Sequence, residues 1–316
     1  MSTSGIYSMT VTRDDILRQA MLNIRRLDPS ETLTAEETTD CSRVLNMLVK
    51  QWQGKSDFAP GLKVWTRKTG YRLLSASAGS YPVGPTSQGW TNAMMVTKLA
   101  STAAVGATTI TLVSTSGISP ADTLALEMDD GSLFYTVVSG VSSPTVTVPA
   151  LAAQARAGNA AYTYTSSGQK PLAIETAWLR DDTYSDTPLN MMNVQDWSNL
   201  PNKEDVTDEG DPTAIYWEDG LTTGTLYTDV GSAQDVSKYI VMKYLAPVQV
   251  FSNPLDEAFY PEEWFLALCW GLSEQICPMF GANWTQQMEG LKTTAMMIAR
   301  NKGVENSSLF FQPGIY

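Results

Sequence analysis

The stretch that decides the fold is residues 12–54, TRDDILRQAMLNIRRLDPSETLTAEETTDCSRVLNMLVKQWQG. Thr12 stands before Asp14 and Asp15, and a hydroxyl at the N-cap with anions in the first turn favours a helix start. Apolar residues then repeat at helical spacing on one face: Ile16, Leu17, Ala20, Met21, Ile24 and Leu27. Asp28-Pro29 is the predicted end of this helix, because the residue before a proline avoids helical geometry.

A second helix is predicted to begin at Thr34. Glu37 follows three residues later, which is the spacing of a capping box. The apolar stripe of this helix consists of Cys41, Val44, Leu45, Leu48 and Trp52. Gly54 is the expected stop. Two amphipathic helices joined by a short loop predict an N-terminal helical hairpin.

The other end of the chain is also helical in pattern. Pro261 suits a first helical turn, with Glu262 and Glu263 beside it. The apolar face of this helix comprises Trp264, Phe265, Leu268, Leu272 and Ile276, and Pro278 and Gly281 end it. A last helix is predicted from about Trp284 to Lys302, with apolar repeats at Met288, Leu291, Ala295, Ile298 and Ala299.

Between the helical ends, the repeat of apolar residues changes from the helical period to the period of strands. Short strands are predicted at residues 64–67, 71–74, 174–179, 214–217, 225–227 and 239–245, with a turn or edge at 81–85. Residues 93–168 differ from their surroundings, being rich in Ala, Thr, Ser, Val and Gly with almost no Lys or Arg. Within this segment, apolar and polar residues alternate at 108–113, 124–128, 133–138, 145–148 and 161–164. Asp129-Asp130-Gly131 predicts a hairpin. This spacing predicts an inserted small β-barrel or sandwich domain.

The predicted fold class is therefore α+β: an N-terminal helical hairpin and C-terminal helices frame a β-rich middle with an inserted β domain. The predicted divisions are 1–92, the hairpin and first strands; 93–168, the insert; 169–303, the remaining strands and C-terminal helices; and 304–316, a tail.

Composition narrows the possible functions. The chain has 316 residues, 43% of them hydrophobic, with 21 Lys+Arg against 33 Asp+Glu and a formal charge of −12. Strong binding to DNA requires cations that neutralise phosphates, so an acidic protein does not grip DNA. An acidic wall instead keeps a passing duplex from adhering, which suits a conduit.

The chain contains no histidine. That absence removes Ser-His-Asp hydrolysis, Cys-His proteolysis and His-based zinc sites, and leaves carboxylate, Lys, Tyr or Ser-Lys chemistry.

Cys269 and Cys277 lie eight residues apart in one predicted helix, about 12 Å along its axis and beyond disulfide reach. Together with Cys41 they are expected to be free thiols of a protein assembled in a reducing cytoplasm. The start, MSTSGIYSMTVTRDD, lacks a signal-peptide pattern, and no apolar run is long enough to predict a membrane anchor.

The order of these elements resembles the head-to-tail adaptor family, the tail accessory factors of short-tailed bacteriophages of the P22 type. The residues that carry the resemblance are spread over most of the chain outside the insert: 13–17, 45–52, 170–180, Pro188-Leu189, 245–247, Phe251, Asn253-Pro254, 261–264 and the stretch up to Phe280-Gly281. None of them is a catalytic signature. The insert at 93–168 departs from the shorter members of the family.

The resemblance implies a ring of twelve copies beneath the portal protein. Such a ring extends the DNA channel, helps to retain packaged double-stranded DNA without reading its sequence, and offers a platform for the tail nozzle or tail fibres. It implies a location in the neck of the virion after assembly in the bacterial cytoplasm. It implies no enzymatic activity and no cofactor.

Four groups of residues are candidate sites. The apolar tail residues Leu309, Phe310, Phe311, Ile315 and Tyr316 are expected to dock onto the portal or a neighbouring subunit; the alternative is that they fold back on their own subunit. An acidic loop is either a hydrated surface loop, the favoured interpretation, or a lumen-facing collar, and it contains Glu204, Asp205, Asp208, Glu209 and Asp211. Trp264 and Trp270 could form a ligand box, but their helical spacing favours core or subunit packing.

The fourth group bears on the rival functions. A carboxylate-dependent cell-wall hydrolase would need two acids about 5 to 9 Å apart, for which Asp181, Asp182 and Asp186 are the available candidates. A tail fibre or receptor-binding module is the other rival, supported by the β insert and opposed by the flanking helices. No metal site is predicted, because the acidic loop lacks the ligand spacing of an EF-hand.

Overall fold

The computed structural model describes residues 9–54, 66–76, 78–201, 205, 207, 209–233 and 235–302. Its α-helices, in chain order, are α1 (Arg13–Asn23), α2 (Ala35–Trp52), α3 (Val194–Asn199), α4 (Phe265–Ile276) and α5 (Gln286–Lys302). Short 3₁₀ turns at Glu262–Trp264 and Cys277–Phe280 flank α4. The chain divides into two compact units, one formed by Met1–Thr66 with Val248–Tyr316 and the other by Arg67–Pro247. The first unit is thus assembled from both ends of the chain.

Both helices of the first hairpin begin as the sequence predicts. The hydroxyl of Thr12 accepts the N–H of Asp15 at 3.3 Å, while the Asp15 carboxylate accepts the N–H of Thr12 at 3.0 Å. Thr34 and Glu37 repeat this reciprocal pair at the start of α2, at 3.2 and 3.1 Å. Two capping boxes confirm the predicted starts, since each satisfies backbone donors that a helix leaves free.

The predicted end of α1 at Asp28-Pro29 is wrong. The helix ends at Asn23, and Arg25 adopts a positive φ of 57°, which lets the N–H groups of Arg25 and Arg26 reach the carbonyls of Leu22 and Met21. Ile24 and Leu27 are still buried, so the apolar pattern continues beyond the helix that it predicts.

Helix α4 lies at the centre of the first unit and contacts α1, α2 and α5. Its sequence, FLALCWGLSEQI, is apolar on nearly all sides, which is typical of a helix surrounded by others. Gly271 allows α2 to come close, because a Cβ there would lie 2.7 Å from Cζ2 of Trp52. The Trp52 ring in turn lies against Trp264, with ring centroids 5.8 Å apart. On another side of α4, Asn23 of α1 donates to the hydroxyl of Ser273 at 3.1 Å.

The second unit contains the strands of the described chain. They are β1 (Arg67–Leu73), β2 (Ser80–Val83), β3 (Trp90–Thr91), β4 (Met95–Lys98), β5 (Thr109–Thr111), β6 (Thr123–Glu127), β7 (Leu133–Val137), β8 (Gly140–Ser142), β9 (Thr145–Thr147), β10 (Ala160–Tyr164), β11 (Ala173–Arg180), β12 (Asp186–Met192), β13 (Glu209–Gly210), β14 (Ala214–Glu218), β15 (Gly224–Thr228), β16 (Ser232–Ala233) and β17 (Tyr239–Leu245).

Eight strands form one sheet in the order β2-β15-β14-β12-β11-β17-β1-β3. Neighbours are antiparallel except β12 and β14, which run parallel. Side chains from both edge strands, Tyr81 and Trp90, belong to the same core as Ile215, Leu226 and Met242, so the sheet is nearly closed and barrel-like. β2 is an edge strand within the stretch at 81–85 that the sequence predicts as a turn or edge, and its Pro82 is exposed.

Residues 95–164 form two further sheets, β4-β10-β6-β7 and β5-β9-β8, which enclose one core. Among the described residues their strands pair with one another and not with the large sheet. The hairpin predicted at Asp129-Asp130-Gly131 is confirmed: β6 pairs with β7, and Gly131 has a φ of +79°. The α+β class is confirmed as well, with helices near both ends and a large β-rich middle that includes this small two-sheet insert.

The insert and the large sheet belong to the same compact unit. Tyr162 of β10 packs edge-on against Tyr239 of β17, with ring centroids 5.8 Å apart, and donates its hydroxyl to the carbonyl of Ser237 at 2.5 Å. The buried guanidinium of Arg72 on β1 lies over the ring of Tyr81, 5.0 Å from the centroid, and donates to the carbonyl of Gln88. Strand pairing changes near residues 93 and 168, whereas the two compact units divide the chain at 66/67 and 247/248. The predicted domain boundaries stay predictions.

Several elements have no counterpart in the predictions. Predicted strands at 64–67 and 71–74 become the single strand β1, and residues 64 and 65 lie outside the described part. β3, β4, β8, β12, β13, β16 and α3 have no predicted counterpart, and most of them have four residues or fewer. Within the described residues, none of the helices is both long and apolar enough to cross a membrane.

The packing at Gly271 can be tested against a matched glycine in α5. We expect Gly271→Ala to destabilise the protein by about 1–2 kcal/mol, because overpacking against Trp52 outweighs the gain in helix propensity. Gly290→Ala should stabilise by about 0.5–1 kcal/mol, since no atom lies within 4 Å of its built Cβ. Urea unfolding followed by tryptophan fluorescence measures both. Equal shifts of the same sign would show that Gly271 is not needed for helix approach.

Candidate interaction surfaces

The acidic loop is described only in part. Glu204 and Asp208 lie outside the described residues. Asp205 accepts the N–H and the hydroxyl of Thr207 at 2.9 and 2.7 Å, and Asp211 pairs with Lys238 at 2.5 Å. Glu209 lies in β13 and is exposed. Two of these three carboxylates thus have local partners. In the part of the chain that the structure describes, no group of three or more His, Cys, Asp or Glu side chains is placed to hold a metal ion.

The predicted tail site lies wholly outside the described residues, which end at Lys302. This applies to Leu309, Phe310, Phe311, Ile315 and Tyr316. Their docking onto a portal or a neighbouring subunit stays a prediction.

The carboxylates proposed for hydrolysis each have a local partner. Asp181 accepts hydrogen bonds from Thr183 and Ser185, and the Thr183 hydroxyl bond is the main reason why its pKa is lowered. Arg180 holds Asp186 in a two-pronged pair at 2.6 and 2.8 Å and lowers its pKa. Asp182 pairs with Lys98 at 2.5 Å.

A general acid needs a carboxyl group whose pKa is raised, so that it carries a proton near neutral pH. The pKa values of Asp181 and Asp186 move in the opposite direction. Asp181 and Asp186 therefore lack the raised pKa that a general acid needs.

Glu127 is a perturbed carboxylate that sequence reasoning missed. Burial raises its pKa, and the nearby charges of Asp235 and Asp182 add to the rise. The N–H of Ala160 is donated to it at 2.7 Å, so the carboxylate holds β10 beside β6. A glutamate at the end of an alternating strand carries no signal of this in the sequence.

The two tryptophans have packing roles, as the favoured interpretation expects. Trp264 is 2% exposed and packs between Trp52 and Tyr260, at centroid distances of 5.8 and 5.7 Å. Trp270 is half-buried and meets Trp284 in a T-shaped contact at 6.4 Å. A hydrophobic core, not a ligand box, explains Trp264.

Among the described residues, helix α5 carries an exposed apolar surface, here called the α5 stripe. It comprises Gly290, Leu291, Thr294, Met297 and Ile298, all exposed, with Leu291, Met297 and Ile298 at 46%, 56% and 54%. On the side of the helix that packs into the core, Ala295 and Ala299 are buried. The apolar repeat predicted in this helix therefore divides between faces: Ala295 and Ala299 are buried, Met288 is half-buried, and Leu291 and Ile298 are exposed.

A second surface that the described part of the chain leaves open is the α1/α4 groove, of about 580 Å³. Its apolar lining includes Met9, Val11, Leu22, Phe265 and Leu266. Leu266 is 55% exposed and Met9 is 64% exposed. The groove lies within the first compact unit, as does the α5 stripe.

No protein-family model and no curated protein matches the chain.

The pairing of Asp186 with Arg180 can be tested through its pH dependence. The pKa of the Asp186 carboxyl is lower in the folded state than in the unfolded state. Its ionised form therefore stabilises the fold at pH values above the unfolded pKa, near 3.9, and this stabilisation is lost as the pH falls through the folded pKa. We expect Asp186→Asn to cost up to about 1 kcal/mol at pH 7, because the pair is partly solvent-exposed. Urea unfolding should show this cost shrinking as the pH approaches 3.

The control is the same substitution in an Arg180→Met background, where it should have little effect. A loss of equal size at pH 7 and pH 3 would show that the charge of Asp186 does not matter.

Proposed function

We propose that this chain is a structural head-to-tail adaptor, or connector, of a short-tailed bacteriophage. It forms a ring under the portal, extends the DNA channel, retains packaged DNA and provides the platform to which tail nozzle or fibre proteins attach. It acts by shape and association and not as an enzyme.

The observation that carries this proposal is the apolar surface that the described residues of the helical unit leave exposed. Folded monomers rarely expose contiguous apolar patches without a binding role. Here the α5 stripe and the α1/α4 groove both lie on one unit, and the aromatic tail begins directly after α5. A subunit that is completed by its neighbours and by a portal accounts for all three features.

Some of the residues that carry the family resemblance connect segments of the helical unit. Asp15 caps α1, and the N–H groups of Arg13 and Asp14 reach the carbonyls of Asp256 and Pro254 at 2.9 and 3.4 Å. Glu262 opens the 3₁₀ turn before α4. These residues hold the two ends of the chain together.

The charge of the chain fits a passive conduit. A formal charge of −12 disfavours adhesion of DNA phosphates. Packaged DNA would pass such a ring without being bound by it.

Host-surface binding by the insert is a second candidate role. The insert encloses its own core and exposes Val105 and Val113 at 65% and 68%. Exposed apolar side chains on a β module with its own core are suited to binding tail components or a receptor.

The adaptor proposal is tested by mixing the purified full chain with the portal protein of the same phage. We expect a ring of adaptor copies on the portal, seen by electron microscopy and counted by native mass spectrometry. If the two proteins do not associate, the proposal is wrong.

The tail prediction needs its own variant. Replacing Phe310 and Phe311 by Asp should abolish or strongly weaken portal binding while circular dichroism stays unchanged. Leu221→Asp is the matched control, because Leu221 is 99% exposed in the second unit and should tolerate a charge. Binding that survives the tail substitutions would contradict docking through the tail but leave the ring intact.

A further inference from the structure

Arg72 differs from the other buried arginine in the part of the chain that the structure describes. Arg13 is 8% exposed, and its guanidinium holds the carboxylate of Asp14 at 2.8 and 2.9 Å. Arg72 of β1 is 6% exposed, and its hydrogen-bonding partners among the described residues are neutral: the carbonyl of Gln88 and the phenol of Tyr135. A buried cation that has no anion beside it is strongly destabilising.

The phenols around Arg72 do not supply the missing negative charge. Three tyrosines lie beside the guanidinium: Tyr81 of β2, Tyr135 of β7 and Tyr164 of β10. Burial raises the pKa of each phenol, and that of Tyr135 to about 12, so all three are neutral at pH 7. The ring of Tyr81 lies 5.0 Å from Cζ of Arg72, which gives a cation–π attraction but no ionised partner.

Two hydrogen-bond donors of this cluster lack an acceptor. Nη1 of Arg72 donates to the carbonyl of Gln88, whereas its buried Nε–H has no hydrogen-bond partner within the described chain. A guanidinium only donates, so its hydrogen bond with Tyr135 uses the phenol oxygen and leaves the phenol O–H to donate elsewhere. Buried donors are nearly always satisfied in folded proteins, so the cluster is suited to receiving an acceptor.

Gly89 allows these donors to come together. A Cβ built on Gly89 would lie 2.5 Å from Nη1 of Arg72 and 2.5 Å from the hydroxyl of Tyr135. The N–H of Gly89 donates to the hydroxyl of Tyr164 at 2.9 Å, which holds that phenol beside the cluster. The guanidinium and the Tyr135 phenol can therefore meet only because this position has no side chain.

The charge, the donors and the burial of this cluster together indicate the kind of ligand that fits. An anion would neutralise the guanidinium and accept the hydrogen bonds of Nε–H and of the Tyr135 hydroxyl. Because Arg72 is almost fully buried, a monatomic anion fits better than a phosphate or a larger carboxylate. We propose that Arg72 and Tyr135 bind a chloride ion.

Such an ion would join two parts of the β-rich unit. Arg72 belongs to the large sheet, and Tyr135 belongs to the insert. A ligand that binds the folded state and not the unfolded state stabilises the fold by mass action. Chloride would therefore strengthen the attachment of the insert to the large sheet, and this role does not depend on the adaptor function.

The site is tested first on the full wild-type chain by thermal unfolding. Sodium chloride, sodium bromide and sodium gluconate are compared at one ionic strength, with gluconate as the anion that is too large for the site. We expect a higher midpoint in both halides. Each tenfold rise in chloride above its Kd should raise the midpoint by about 3–5 °C. Equal midpoints in the three salts overturn the proposal.

The two buried arginines provide a matched pair of variants. Arg72→Met should remove the difference between chloride and gluconate, whereas Arg13→Met should keep it, because Asp14 already balances the charge of Arg13. Tyr135→Phe removes one donor and should raise the Kd for chloride about tenfold. A halide effect that survives Arg72→Met places the ion elsewhere and contradicts the proposal.

Crystals of the wild-type chain grown in bromide locate the ion even if Arg72→Met does not fold. Bromide scatters anomalously, so we expect an anomalous peak within hydrogen-bonding distance of Nε of Arg72 and the hydroxyl of Tyr135. A peak at this place without anomalous signal is a water molecule and overturns the proposal. A bromide peak combined with equal midpoints in the three salts shows an adventitious ion only, which also overturns it.

Discussion

The close contact between Gly271 of α4 and the indole of Trp52 determines how the two ends of the chain come together. Any larger residue at 271 would push α2 away, since the built Cβ already lies 2.7 Å from the ring. Trp52 also packs on Trp264, just before α4, so the core of the first unit is organised around this contact. More than 200 residues separate the two partners in sequence. Residues 67–247, which form the β-rich unit, therefore lie in sequence between two segments that fold together as the helical unit.

Local chemistry explains what the sequence predicts well. Thr12 with Asp15 and Thr34 with Glu37 form capping boxes, which involve residues three apart and need no tertiary information. The same holds for the turn at Gly131. The end of α1 is different: Arg25 takes a left-handed conformation, although arginine has no preference for it, and Ile24 and Leu27 stay buried beyond the helix. There the hydrophobic pattern follows burial and not secondary structure.

The candidate sites show a second limit of sequence reasoning. Asp181, Asp182 and Asp186 look like free acids in a loop, yet Thr183, Lys98 and Arg180 bind them. Glu127 has a raised pKa because of burial between strands, which no local pattern reports. Charge pairing across strands depends on register, and register follows from the whole sheet. Carboxylate positions in a sequence therefore indicate little about which carboxylate is perturbed.

Helix α5 shows why an apolar pattern alone does not define a core. Small residues, Ala295 and Ala299, face the subunit interior, whereas Leu291, Met297 and Ile298 face outward. A helix that packed only within its own subunit would gain more by burying its larger side chains, because the stabilisation grows with the apolar area removed from water. The opposite arrangement, with Gly290 uncovered among the large residues, suits a helix whose outer face is completed by another molecule. The buried alanines let α5 sit close to α4 beside the half-buried Met296, whereas Leu291, Met297 and Ile298 stay exposed.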